Sequence, residues 1–186
     1  MPPVTYVRHA MPVVEDGVHS SAWELDQSAR AAASAMAERL EVGPGIGALV
    51  SSTEPKALQT AEAIAEHWST VVIEDGRLCE AERPWIGAGY RALAHRYLRG
   101  EHPEGWEPHA QVIARMAASL HDAVARAERG PAVIVSHGLA LCLHLGARLG
   151  DDFDRESFWS RLTFPDAWAL AADDVLHRSP AREAIS

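Results

Sequence analysis

The sequence predicts a single α/β domain in which helices cover both faces of a mostly parallel sheet, a three-layer α/β/α arrangement. Two observations support this prediction: short apolar runs alternate with longer stretches of helical spacing, and 186 residues provide one hydrophobic core. Hydrophobic residues make up 47% of the chain and charged residues 23%, which excludes collagen-like and wholly disordered proteins. We therefore expect residues 1–186 to form one domain.

The predicted core strands are short runs of consecutive apolar residues, a pattern typical of strands that are covered on both faces. These runs span residues 4–7, 46–50, 71–73 and 132–135. Residues 167–171 form a further candidate strand, although alanine and leucine also favour helices.

The stretches between these runs have helical spacing and many alanines. They span residues 28–40, 55–68, 110–129 and 139–149. Strands that alternate with helices of this length indicate βαβ units and hence a largely parallel sheet. Residues 177–186 are predicted to be a frayed tail.

Residues 83–109 form the one compositional shift in the chain, rich in glycine, proline, tryptophan and arginine. A long irregular segment in a compact domain is often functional, so the segment is a candidate lid or insertion. The alternative is an ordinary surface excursion with one helix near residues 90–98. If the segment is a lid, Arg83, Trp85 and Arg91 are candidates for contacting an anionic or aromatic part of a ligand.

The charge balance limits the classes of partner. Lysine and arginine number 17 and acidic residues 26, which gives a net charge of −9, and this field repels nucleic acid and anionic membranes. No stretch approaches the roughly 20 apolar residues that span a bilayer, and the first ten residues lack a signal-like apolar core. We expect a cytoplasmic protein that binds neither nucleic acid nor membrane.

The two cysteines, Cys79 and Cys142, have no CxxC spacing, so we expect two reduced thiols in the core. Seven histidines lie in no metal-binding motif and are predicted to be surface or lid residues; these are His67, His95, His102, His109, His121, His144 and His177. The sequence thus predicts no metal site.

Polar and cationic side chains follow three of the predicted strands. Since ligands of parallel sheets bind at the carboxyl ends of the strands, these residues are expected to converge. The set comprises Arg8 and His9, Ser51 and Ser52 with Lys56, and Ser136, His137 and Gly138. Such a cluster suits a phosphate dianion. Free backbone N–H groups of the helix that begins near Gly138 are expected to add to anion binding.

The residues at these positions resemble the histidine phosphatase superfamily, which has the phosphoglycerate-mutase-like fold. Arg8-His9-Ala10 resembles its RHG or RHA signature, and residues 51–61, SSTEPKALQTA, resemble its second block. Leu78-Cys79-Glu80 resembles the acidic block, and residues 135–138 resemble the second histidine block. The four blocks occur in family order over about three quarters of the chain.

The resemblance implies a role for each matching residue. His9 is the expected nucleophile, with a neutral imidazole at pH 7. Arg8, Lys56 and a protonated His137 are expected to hold the phosphate oxygens. Glu80 is the expected general acid and Glu82, two residues on, the alternative; either one could instead be a solvated loop carboxylate.

Two departures from the family pattern stand out. Lys56 occupies the place of the family's second arginine, so it either acts as a point charge or weakens the pocket. Met11 and Pro12 stand where many members have glutamate and threonine, which removes one expected phosphate hydrogen bond.

The sequence therefore predicts a hydrolase: a metal-independent phosphatase of the histidine acid type, a phosphomonoesterase that uses a phosphohistidine intermediate on a small phosphorylated metabolite. It implies no cofactor. The alternatives are phosphoryl transfer of the phosphoglycerate-mutase type, a protein phosphatase, and a phosphate-binding module without turnover. The physiological substrate and the oligomeric state stay open.

Overall fold

The computed structural model describes residues 3–127, 130–171 and 174–179. Its centre is one six-stranded sheet with the strand order β3-β2-β4-β1-β5-β6. The strands are β1 (Val4–Arg8), β2 (Ala48–Ser51), β3 (Val72–Glu74), β4 (Ala132–Ser136), β5 (Asp166–Leu170) and β6 (Leu176–Arg178).

Strands β1 to β4 pair in parallel, and β5 and β6 add an antiparallel edge beside β1. The predicted mostly parallel sheet is thus confirmed, and so is the fifth strand. In the register of the two central strands, Arg8 lies opposite Ser136, and the amide of His9 donates to the Ser136 carbonyl at 3.2 Å. The residues after β1 and β4 therefore emerge side by side.

Six α-helices surround the sheet in the described residues. They are α1 (Gln27–Ala37), α2 (Pro55–Trp68), α3 (Tyr90–Leu98), α4 (His109–Arg126), α5 (Gly138–Leu149) and α6 (Arg155–Arg161). The local sequence determines where two of these helices begin. The Asp26 carboxylate accepts from the Ala29 amide at 2.8 Å before α1, and Pro55 occupies the first turn of α2. The four predicted helices are present, with ends shifted by up to three residues; residues 128–129 lie outside the described residues.

Alternating side chains of the central strands form two separate apolar clusters. Tyr6 and Ile134 pack with residues of α4 and α5, whereas Val7 and Val133 pack with residues of α1 and α2. Because successive side chains of a strand point to opposite faces, the helices cover both faces of the sheet. The three-layer arrangement follows.

The sequence-based predictions were wrong at some positions. Strand β6 begins at Leu176, so the predicted tail is ordered at its first residues, and residues 180–186 lie outside the described part. His144 is buried at 4% exposure, where its Nε2 lies 3.2 Å from the Tyr6 hydroxyl, and is not a surface residue. Cys142 is a buried free thiol, but Cys79 is only half-buried.

Within residues 83–109, the helix near residues 90–98 is present as α3, and Tyr97 and Trp106 are buried in the core. The exposed parts of this segment include residues 87–89 near Trp85 and residues 99–102 after α3. None of the described helices is both long and apolar enough to cross a membrane.

Candidate active site

A cavity of about 440 Å³ opens at the carboxyl ends of β1 and β4, beside the first residue of α5. It contains most of the predicted site: its lining includes Arg8, His9, Lys56, Glu80, His137 and Gly138. The volume lies within the range of small-molecule sites. The parallel register thus brings together residues that are up to 130 positions apart in the chain.

His9 presents one ring nitrogen with a free lone pair. Its Nδ1 lies 2.7 Å from the carbonyl oxygen of Ala10, and since a carbonyl can only accept, Nδ1 carries the proton and Nε2 the lone pair. Burial, together with His137 and Lys56 nearby, lowers the pKa of His9 well below its usual range. The ring is therefore neutral at pH 7, as a nitrogen nucleophile must be.

The backbone after His9 is fixed by the second motif block. The Ala10 amide donates to Thr60 Oγ1 at 3.0 Å, and that hydroxyl donates to the Lys56 carbonyl at 2.7 Å. The carbonyl that orients His9 therefore belongs to a residue that is itself tied to α2.

His137 faces His9, with the two ring centroids 4.9 Å apart. Its Nε2 lies 2.8 Å from Ser52 Oγ, and its Nδ1 has no hydrogen-bond partner among the described residues. Burial, with the charges of Lys56 and Arg83, lowers the pKa of His137 well below its usual range. This environment favours the neutral ring, in contrast to the protonated His137 that the resemblance implied.

Arg8 packs over an aromatic ring that lines the cavity. Its guanidinium carbon is 3.5 Å from the centroid of Phe164, and its Nη1 donates to the Leu162 carbonyl at 3.3 Å. A Cβ on Gly138 would lie 3.2 Å from Arg8 Nη2 and 2.9 Å from the indole nitrogen of Trp159. Gly138 is therefore needed for the close approach of Arg8 to α5.

The Glu80 carboxylate occupies the amino end of α5. It accepts from the amides of Leu139 at 3.1 Å and Ala140 at 2.9 Å, and from the Ala81 amide at 3.0 Å. The expectation that the helix amides are free for phosphate is therefore wrong for Leu139 and Ala140, because both donate to the Glu80 carboxyl group. Glu80 still lines the cavity, so its carboxylate contacts both the helix and the site.

Lys56 lies inside the cavity but is paired. Its ammonium group, 4% exposed as a residue, donates to the Ser20 carbonyl at 2.6 Å and to the Glu54 carboxylate. Two of its three N–H bonds are thus used, and one is left for a ligand.

Glu54 is a site residue that the sequence analysis missed. It precedes α2 at the N-cap position, but its carboxylate makes no cap; one oxygen pairs with Lys56, and the other accepts from the Glu80 amide at 2.8 Å and lies 3.5 Å from His137 Nε2. The only signal in the sequence is that an acidic residue lies two positions before Lys56. Acidic residues are common at the beginning of a helix, so this signal does not distinguish a site residue from an ordinary one.

Arg115 of α4 holds the acidic loop and was also missed. Its guanidinium donates to the carbonyls of Arg77, Cys79 and Glu80 at 2.6–3.1 Å and pairs bidentately with Glu107. Arginine is suited to such a multiple contact because its five donors lie in one plane. The backbone beside Glu80 is therefore fixed from the rear of the site.

The remaining candidates divide between the cavity and the surface. Arg83 and Trp85 line the cavity. Arg91 does not; it is exposed, and its guanidinium lies 6.0 Å from the Trp159 ring. Glu82 is exposed and lines a neighbouring surface pocket, so the geometry favours Glu80 as the acidic residue of the site.

Comparison with known proteins agrees with this geometry. The chain matches the histidine phosphatase superfamily (branch 1) over residues 5–165. It is similar to a mycobacterial glucosyl-3-phosphoglycerate phosphatase solved with inorganic phosphate, at 22% identity and a TM-score of 0.73 over 96% of this chain and 95% of that one. Bacillus stearothermophilus YhfR gives 21% identity and a TM-score of 0.73 over 96% and 95% of the two chains. No curated protein gives a significant match. With the four motif blocks assembled around one cavity, the chain belongs to the histidine phosphatase superfamily.

Proposed function

We propose that the protein is a phosphomonoesterase that transfers a phosphoryl group to His9 and then to water. The observation that carries this proposal is the pair of facing histidines: His9 Nδ1 donates to the Ala10 carbonyl, and the His9 ring lies 4.9 Å from that of His137. Around the pair, Arg8 supplies a fixed positive charge and Glu80 a carboxylate in the same cavity.

In the first step, His9 Nε2 attacks phosphorus, and the bond from phosphorus to the ester oxygen breaks. The leaving alkoxide takes a proton from the carboxylic acid form of Glu80, which supplies general acid catalysis. Arg8 and the Nδ1–H of a protonated His137 donate to the phosphoryl oxygens, where charge accumulates in the transition state. A bound phosphate dianion also favours a protonated His137.

In the second step, the Glu80 carboxylate takes a proton from water, and the resulting hydroxide attacks phosphorus. The nitrogen–phosphorus bond breaks, and His9 and inorganic phosphate are released. The sum is hydrolysis of a phosphomonoester to an alcohol and phosphate, and Glu80 returns to its starting protonated state.

The shape of the cavity supports a small substrate over a phosphoprotein, since a volume of about 440 Å³ suits a metabolite. Hydrolysis is favoured over phosphoryl transfer of the mutase type, because the mutase reaction needs a second anion site. Among the described residues that line the cavity, Arg83 is the one arginine or lysine besides Arg8 and Lys56. Its Nη groups already donate to the Ala81 carbonyl and to Ser20 Oγ.

The test is capture of the phosphohistidine. Wild-type protein mixed with nitrophenyl phosphate and quenched without acid should gain one phosphoryl group by intact mass, because the phosphoramidate survives at neutral pH. His9→Ala should gain none and lose turnover. His121→Ala, which changes an exposed histidine of α4, is the matched control and should behave as wild type.

Near-normal turnover by His9→Ala would overturn the proposal. Activity should also survive chelation, because every step above uses side chains of the chain itself. Loss of activity in chelator that returns with zinc or magnesium would assign the reaction to a metal-dependent mechanism. Absence of any turnover with an intact fold would instead identify a phosphate-binding module.

A further inference from the structure

Exposed apolar side chains are concentrated at the mouth of the active-site cavity. In the described part of the chain, seven large hydrophobic residues are exposed, and four of them line this one cavity: Met11, Val14, Trp85 and Phe164, at 36–53% exposure. Scattered apolar residues are ordinary on a protein surface, but a contiguous group marks a binding site.

This apolar lining begins directly beside the nucleophile. The Phe164 ring centroid lies 5.4 Å from that of His9, and the same ring carries the Arg8 guanidinium at 3.5 Å. Further out, Trp23 and Trp85 meet edge to face with centroids 5.6 Å apart. We call this group the apolar chamber; it consists of Met11, Val14, Trp23, Trp85, Ile86 and Phe164.

The polar groups at the outer end of the cavity are few, and two of them are paired. Asp16, Ser20, Arg83 and Tyr90 line it outside the catalytic cluster, and Arg83 Nη2 donates to Ser20 Oγ at 3.2 Å. A sugar or glycerate would bring several hydroxyl or carboxylate groups that need partners here, and a buried polar group without one is costly. Burial of an apolar group stabilises binding. An aromatic ring is stabilised further when it packs against the edges and faces of the tryptophan rings.

We propose that the substrate is a phosphomonoester whose alcohol part is apolar and of aromatic-ring size, and that the apolar chamber binds this part. The inference rests on the proposed function and specifies its substrate class. A phosphoryl group at His9 leaves the ester oxygen in the same cavity as the chamber, so the alcohol part extends along Phe164 towards Trp85.

The experiment compares 2-phenylethyl phosphate with glycerol 3-phosphate, two primary alkyl esters that differ mainly in the polarity of the alcohol. For wild type we expect a kcat/KM at least tenfold higher for phenylethyl phosphate. Calorimetric binding of both esters to His9→Ala gives a readout that does not depend on turnover, and phenylethyl phosphate should again bind more tightly.

Two substitutions test the chamber itself. Trp85→Ala and Met11→Gln should each lower the ratio of the two kcat/KM values by roughly threefold to tenfold, since each removes apolar contact area. Val71→Ala is the matched control, because Val71 is exposed at 74% and is not among the residues that line the cavity. Circular dichroism verifies that each variant is folded.

The outcomes separate the two proposals. Hydrolysis of nitrophenyl phosphate through His9 together with equal or better use of glycerol 3-phosphate would overturn the apolar substrate class and leave the phosphatase assignment intact. No hydrolysis of any ester, together with tighter binding of phenylethyl phosphate to His9→Ala, would overturn the phosphatase assignment and support the chamber. An unchanged ratio in both chamber variants would also overturn this inference.

Discussion

Lys56, which lines the active-site cavity, forms an ion pair with Glu54, and both residues are more than 90% buried. An ion pair in such a place is costly to separate, because the remaining charge has no water around it. Glu54 also lies 3.5 Å from His137 and accepts the amide of Glu80. Lys56 is therefore a counter-ion of Glu54, with one N–H bond left for a ligand.

This arrangement predicts the effect of removing the cation. Lys56→Met should lower kcat/KM for nitrophenyl phosphate by a factor that corresponds to a loss of about 2 kcal/mol or more of transition-state stabilisation. The substitution removes an N–H donor and leaves the Glu54 charge unpaired beside His137. The double variant Glu54→Gln/Lys56→Met should recover part of this loss, since the unpaired charge is gone. A double variant as slow as the single one would contradict the counter-ion role.

The sequence predicted those features of the fold that depend on local pattern. The apolar runs of β1 and β4 are buried on both faces, so their identity as central strands could be read directly. His9 and His137 follow these strands, and a parallel register places such residues side by side whatever lies between them.

The parts that the sequence did not predict depend on long-range partners. Glu80 binds the amides of α5, which lie 59 and 60 positions away. Arg115 resembles any charged residue of an amphipathic helix, and only the packing of α4 against the loop at Cys79 turns its guanidinium inward. Neither contact has a spacing that could be recognised in one sequence.

Buried histidine also predicts how stability depends on pH. Burial lowers the pKa of His144 to about 4, whereas the unfolded chain has its ordinary value of 6.5. Below pH 6.5 the unfolded state therefore binds the proton first, so the free energy of unfolding falls as the pH falls from 6.5 to 4. His9 and His137 act in the same direction, since their pKa values are also lowered.

For His144 alone, the loss of stability between pH 7 and pH 5 should be about 2 kcal/mol. Denaturant unfolding at the two pH values measures it in wild type and in His144→Gln, which cannot titrate. The pH dependence of the variant should be smaller by that amount. An identical dependence in both proteins would show that other groups carry the acid destabilisation.

Glu80 as general acid predicts a dependence on the leaving group. An alkyl phosphate expels a strongly basic alkoxide, so protonation in the transition state should be worth roughly 10²- to 10⁴-fold, whereas nitrophenolate leaves without help. Glu80→Gln should therefore slow phosphorylation of His9 by 2-phenylethyl phosphate far more than by nitrophenyl phosphate in single-turnover measurements.

Glu82→Gln is the matched control, because Glu82 is the neighbouring exposed carboxylate outside the cavity. It should leave both rates near wild type. An equal loss of the phosphorylation rate with both esters in Glu80→Gln would show that Glu80 acts through its bonds to α5. If Glu82→Gln shows the dependence on the leaving group instead, Glu82 is the general acid.

Arg115 should act on catalysis through Glu80, since it donates to the carbonyls of Cys79 and Glu80 and pairs with Glu107. Arg115→Met frees this loop, so the Glu80 carboxyl group is no longer held where it donates its proton. The loss of rate should be larger for 2-phenylethyl phosphate than for nitrophenyl phosphate. A purely structural role would lower both rates equally, because it changes the fraction of folded enzyme. Arg115→Lys keeps the charge but not the planar set of donors, so it should rescue the alkyl ester only in part. Full rescue by lysine would show that charge alone, without the multiple contacts, positions Glu80.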